Sequence, residues 1–305
     1  MKLEGLWEIA RHDEVAPPFD IAVPIPDLPK DPKWTAIPVP SDRNVSRPDL
    51  TLAHRIWYRT QVNVPAELAG RGFQLKFGQN NLNTTVLVNG QFCGFEKNPH
   101  VAFKIDVSNS IKPGKNEILV GIRDPWYGFS TNPKDPLKLR RMFTLPVSFT
   151  KNGFLDLAYP VWGAFQSGIL DAPVLEATGP VYANDVFVKP SVEKKELSVE
   201  ITLANPRGRP ETVVLEASAI DAKTGEVAKK FAPATTTLDA INTKTNLNTA
   251  WENPKLWWPD EPNMYRLRLK VTTSQGVDIS ETSFGFREWQ AKGNRFTLNG
   301  IPWNG

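Results

Sequence analysis

A chain of 305 residues with 40% hydrophobic and 23% charged side chains is long enough for two ordinary domains and has the composition of a water-soluble globular protein. Its 36 basic and 33 acidic residues leave a net charge of +3 with no basic stripe, which excludes the electrostatic footprint of a nucleic-acid or membrane-surface protein. With 27 prolines and 20 glycines punctuating the chain, long helices are excluded as well.

Taken in chain order, the elements read as strands. Trp7, near the start, is expected to plug the core of a first sandwich. Residues 56–64 alternate, with Ile56, Tyr58, Val62 and Val64 on one side, and stop at Pro65, as a half-buried strand does. Residues 73–77 repeat the pattern through Phe73, Leu75 and Phe77. Residues 85–88 end at Asn89-Gly90, the strongest hairpin signal in the chain, because a two-residue turn needs positive φ at both positions. Residues 102–107 make a further strand, Pro113-Gly114 turns the chain, and residues 116–123 follow. This spacing describes an antiparallel sandwich.

Residues 124–165 break the rhythm. The stretch is long and irregular, yet it carries Trp126, Tyr127, Phe129, Tyr159, Trp162 and Phe165. Such aromatic content argues for a binding or packing role and against disorder.

Strands resume at 185–188, 197–203 and 212–220, turn at Thr224-Gly225, and reach their cleanest alternation at 265–271. About seven strands in roughly a hundred residues suit an immunoglobulin-like sandwich. If Leu256-Trp257-Trp258-Pro259 is extended, its adjacent indoles fall on opposite faces. Arg287, just after a strand, is expected to pair with a carboxylate of a neighbouring domain through its planar fork.

Chemistry-bearing clusters are sparse. Cys93 is the single cysteine, so there is no disulfide framework, and His12, His54 and His100 stand too far apart for a metal-ligand spacing. No metal and no cofactor are expected. No apolar run has the length of a membrane span, and Met1-Lys2-Leu3 leads into no secretory-type segment, so the compartment is left open.

Four stretches, in order, resemble the front half of family-2 glycoside hydrolases, the family of β-galactosidases, β-glucuronidases and β-mannosidases. They are Leu3-Glu4-Gly5-Leu6-Trp7 with Trp34, Ile37-Pro38-Val39-Pro40 and Trp57-Tyr58-Arg59; Val86-Leu87-Val88-Asn89-Gly90 with Gly94 and Phe103; Trp162 with Ser167-Gly168-Ile169, Asp171 and Val174; and Leu256-Trp257-Trp258-Pro259 through Pro262-Asn263-Met264-Tyr265, Phe284-Gly285-Phe286-Arg287 and Phe296-Thr297-Leu298-Asn299-Gly300. Each fragment alone is common; their order and spacing across nearly the whole chain carry the resemblance.

The resemblance implies an all-β fold: a jelly-roll, galactose-binding-like β-sandwich over residues 1–183, then an immunoglobulin-like β-sandwich over 184–287. Residues 288–305 are expected to begin a TIM barrel that the chain does not reach. That tail is expected to be poorly anchored, lacking its strand partners. Hydrolysis with retention needs two carboxyl groups flanking the scissile bond. The family carries them as glutamates on the barrel, so this chain is expected to hold no catalytic residue. Its parent's partners would be the terminal sugar of a β-glycoside and the barrel itself.

What the first domain lends in such enzymes is a wall of the sugar pocket. The corresponding loop here, 94–100, offers Glu96, Asn98 and His100, groups that suit hydroxyls able both to donate and to accept. Trp126 and Trp162 are candidates for stacking on a sugar face or for packing against the barrel. Two departures stand out. Relatives are rich in glycine and tyrosine where this chain has Asn98-Pro99-His100, and some place an acid six positions before the Gly-Ile pair, where Trp162 stands. The competing reading is a free-standing carbohydrate-binding module without hydrolase activity.

Overall fold

A computed structural model of the protein describes residues 1–12, 24–25, 27–50, 53, 55–81, 83–98, 101–123 and 166–303. The chain divides into two compact units, Met1–Ala69 with Phe73–Ala177, and Gly70–Gly72 with Thr178–Gly305. The division falls earlier than residue 183 because Val181 already packs into the second core.

The first unit contains β1 (Gly5–Arg11), β2 (Thr35–Val39), β3 (Arg55–Val64), β4 (Gly72–Phe77), β5 (Asn80–Asn81), β6 (Asn83–Val88), β7 (Gln91–Glu96), β8 (Phe103–Asp106), β9 (Gly114–Arg123), β10 (Gly168–Ile169) and β11 (Val174–Thr178). A six-stranded sheet runs β2-β1-β3-β9-β6-β7, and shorter sheets run β11-β4-β8 and β10-β5. Strand alternation explains the core. Trp7, Ile37, Ile56, Tyr58, Val86, Val120 and Ile122 from the large sheet pack with Phe73, Leu75, Phe77, Ile105, Ile169 and Leu175 from the short ones.

The other face of the large sheet is covered too. Trp57, fully buried, packs with Ile25 and Leu119, and its indole N–H donates to the Asp27 carbonyl at 3.0 Å. Directly opposite in register sits Gly121, where an added Cβ would lie 2.9 Å from the Trp57 ring. Nearby, the Arg59 guanidinium lies 4.2 Å from the Trp34 ring centre while pairing with Glu8 at 2.8 Å.

Asn89 and Gly90 both have positive φ, 51° and 79°, as the two-residue hairpin requires. The Asn89 amide does more than turn the chain. Its Nδ2 donates to the Ser110 carbonyl and to Asn116 Oδ1, each at 2.8 Å, and its Oδ1 accepts from the Glu117 N–H at 3.0 Å. One side chain thereby ties the hairpin to β9 and to the turn before it.

The second unit contains β12 (Tyr182–Ser191), β13 (Glu196–Ala204), β14 (Glu211–Asp221), β15 (Val227–Lys230), β16 (Ala234–Leu238), β17 (Asn242–Ala250), β18 (Met264–Thr273) and β19 (Gly276–Gly285). One sheet runs β12-β13-β17; the other runs β15-β14-β18-β19 with β16 also on β14. Leu197, Val199, Ile201 and Leu203 face Val213, Leu215, Leu267, Leu269 and Val271 across the core. One end is closed by aromatics, with Trp251 edge-on to Tyr265 and Phe286 at 5.0 and 5.5 Å.

The tail differs from expectation. Residues 289–303 form their own antiparallel meander, β20 (Trp289–Lys292), β21 (Arg295–Leu298) and β22 (Ile301–Trp303). The strand partners come from within the tail, so none has to be borrowed. Glu288 fastens its start: Oε1 accepts from the Ser191 hydroxyl, and Oε2 from the Val192 and Glu193 N–H groups, all at 2.9 Å. Asn299 fastens the second turn, accepting from the Glu288 N–H at 2.9 Å and donating to the Trp257 carbonyl at 3.1 Å. Leu256 and Trp257 sit in isolated bridges to Phe286 and Pro262 and do not extend into a strand. Within the second unit the Arg287 guanidinium lies over the Trp257 ring at 4.3 Å, a cation–π contact.

Candidate functional site

Register gathers the first unit's longest connections at one end of its large sheet. Arg55 pairs with Arg123, Arg123 with Asn83, and Thr84 with Glu96. Residues 124–165 leave directly after Arg123, and the 97–102 connection leaves directly after Glu96. Several residues near this end are polar and buried: Asn80, Asn81, Asn83, Thr84 and Arg123 are at most 2% exposed.

The loop after β7 is pinned from below and within. Asn83 Nδ2 donates to the Lys97 carbonyl at 2.9 Å. Glu96 Oε1 then accepts from both the backbone N–H and the Nδ2 of Asn98, at 2.8 and 2.7 Å. The structure thus brings together two of the residues singled out in the sequence, Glu96 and Asn98, both half-buried. Each leaves acceptor capacity that a hydroxyl-bearing ligand can use. His100, Trp126 and Trp162 lie outside the described residues.

Sequence reasoning missed the polar layer underneath. Asn80 Nδ2 donates to Thr84 Oγ1 at 3.2 Å, and Asn81 Nδ2 donates to the Gln166 carbonyl. The amide oxygens of Asn80, Asn81 and Asn83, with the Ser167 hydroxyl, are buried and meet no hydrogen-bond partner among the described residues. The usable signal was the polar cluster Asn80, Asn81, Asn83, Thr84 and Thr85, broken only by Leu82, leading straight into Val86-Leu87-Val88. Gly168 belongs to the same corner. Its φ of 109° and the Tyr58 hydroxyl, 2.5 Å from an added Cβ, both demand glycine.

The carboxylates displaced from their ordinary range among the described residues, Asp49, Glu193, Glu211, Asp221 and Glu281, are all displaced downward by hydrogen-bond donors beside them. Asp221 goes furthest, to about 2, because Lys255 Nζ lies at 2.8 Å and the Thr224 and Lys223 N–H groups also donate to it. It lines a cleft of about 280 Å³ with Lys223, Lys255, Asn263 and Tyr265, where it serves as a turn anchor. Burial pushes the Cys93 thiol up, making it a poor nucleophile. Among the described residues no group of three or more His, Cys, Asp or Glu side chains could hold a metal, and no helix is long and apolar enough to cross a membrane.

Two family models match the chain in tandem: "Glycosyl hydrolase 2 galactose-binding domain-like" over residues 39–139 and "Glycosyl hydrolases family 2" over residues 181–287. Among curated proteins, a beta-galactosidase of Priestia megaterium is 25% identical across 70% of this chain and 19% of its own length. A beta-glucuronidase of Formosa agariphila is 23% identical across 80% of this chain and 25% of its own length. The chain spans only 19 to 30% of the length of the first curated relatives it matches. Of solved structures, a glycosyl hydrolase family 2 member from Bacteroides cellulosilyticus aligns over 99% of this chain and 38% of its own, with a TM-score of 0.65 at 20% identity. The beta-glucuronidase of Bacteroides uniformis aligns over 99% and 34%, with a TM-score of 0.68 at 17% identity. At such identities the structural likeness establishes the fold.

Proposed function

Because the chain belongs to glycosyl hydrolase family 2, we propose that it supplies the non-catalytic front domains of a retaining exo-β-glycosidase. The parent would act on the terminal β-linked hexose or hexuronic acid of an oligosaccharide or glycoside. The observation that carries this reading is the tandem order of the two family models, over residues 39–139 and 181–287, while the chain spans under a third of its curated relatives' length. The acid and the nucleophile would sit elsewhere, on a barrel that residues 288–305 would introduce.

In this reading the loop-bearing end of the first unit walls the sugar pocket. Glu96 and Asn98 would accept from, or donate to, sugar hydroxyls, with His100 beside them, while Trp126 and Trp162 would stack on the ring or on the barrel. Aryl β-glucuronides, β-galactosides and β-mannosides test the proposal. The 305-residue chain should turn over none of them, and the polypeptide extended through its downstream reading frame should hydrolyse at least one. Hydrolysis by the short chain, lost on removing one of its own carboxylates, would overturn it. Saccharide binding with no hydrolysis by either polypeptide would favour the free-standing binding module.

A further inference from the structure

The meander is amphipathic in an unusual direction. By register Trp289, Phe296, Leu298, Ile301 and Trp303 share one face, and Gln290, Thr297 and Pro302 the other. Leu298 is buried, but Trp289 is 48% exposed, Phe296 65%, Ile301 57% and Trp303 40%, with the two indoles edge-on at 5.5 Å. A short three-stranded sheet with this much aromatic surface is ordinarily marginal by itself. Here it is held from both ends. Glu288 takes three hydrogen bonds from the β12–β13 turn, and Asn299 reaches back to the Trp257 carbonyl. Between them, Arg287 covers Trp257, whose N–H donates to the Phe286 carbonyl at 3.0 Å. The backbone closes the loop, with the Asn299 N–H donating to the Glu288 carbonyl at 2.8 Å.

We propose that Glu288 is a positioning residue: with Asn299 it clasps the meander onto the immunoglobulin-like unit and so presents the Trp289–Phe296–Ile301–Trp303 face to the catalytic domain in one fixed orientation. The identity of that partner rests on the glycosidase reading above; the clasp itself rests on the hydrogen bonds. Its chemistry is asymmetric in a useful way. A carboxylate receiving three donors is replaced tolerably by glutamine, whose carbonyl can keep the Val192 and Glu193 N–H groups while its NH2 donates to the Ser191 oxygen. Alanine keeps none of the three. At residue 299, aspartate keeps the acceptor for Glu288 but has no donor for the Trp257 carbonyl.

Hydrogen exchange on the 305-residue chain tests the clasp. E288A and N299D should speed exchange in β20–β22 by about 10- to 100-fold, the scale expected for losing charge-assisted and buried hydrogen bonds, while β13, β14 and β18 stay protected. E288Q should remain close to the parent chain. Unchanged protection of β20–β22 in both E288A and N299D overturns the clasp, and so does an equal loss spread through β13, β14 and β18. In the polypeptide extended through its reading frame, E288A should lower kcat/KM about tenfold or more, and E288Q should restore it. Full activity in E288A overturns the positioning role. If the unsubstituted extended polypeptide hydrolyses nothing, the glycosidase reading has failed, and the exchange measurement still decides the clasp.

Discussion

Asp221 shows how firmly a single carboxylate can be fixed by its own turn. Its folded pKa, about 2, lies below the ordinary 3.8, so the ionised form is the one folding favours. Stability from this group is therefore fully present above pH 3.8 and is lost as pH falls through about 2. D221N should lower the melting temperature of the second unit by several degrees at neutral pH, and the gap to the parent should close in melts taken progressively toward pH 2. Asn89 works without charge. N89G keeps the backbone conformation but forfeits three side-chain hydrogen bonds, and should cost about 2 kcal/mol in urea titrations. Its turn was legible because only a few residue types accept positive φ. Its cross-links were not, since nothing local marks Ser110 and Glu117 as its neighbours. The same holds for Asn80, Asn81 and Asn83, whose burial no local pattern marks.

At the scale of elements, alternation found the long strands because each has one face in a core and one outside. It passed over β16 and β17, where threonine and asparagine dominate and Leu247 is the one buried side chain in β17. Pairing with β14 and β13 recruits those segments; their own composition does not. The expectation of a poorly anchored tail came from the resemblance and overlooked that a meander needs only itself to satisfy its backbone. Trp57 and Gly121 show how two strands select each other's residues. G121V would drive a side chain into a buried indole and should cost about 1–3 kcal/mol, with the Trp57 emission shifting in the native state.

The whole molecule has two separate cores, one centred on the β3–β9–β6 strands and one on β13, β14 and β18. Unfolding should accordingly show two transitions, with G121V shifting the one that Trp57 reports and D221N the one that Trp251 reports; a single transition moved equally by both would contradict this. Domain order and family were readable because short motifs recur in sequence over the full length. The loop after β7 was readable only in part, because a loop's partners depend on which strands end beside it. Asn89-Gly90 carries a last consequence, for the protein's chemical lifetime. In a loose chain an asparagine before glycine ages quickly, its side-chain carbonyl attacked by the following backbone nitrogen to give a succinimide. Held on both sides by Ser110, Asn116 and Glu117, that carbonyl cannot swing into reach. The folded hairpin keeps its amide, and deamidation at this position becomes a record of how long the first unit has spent open.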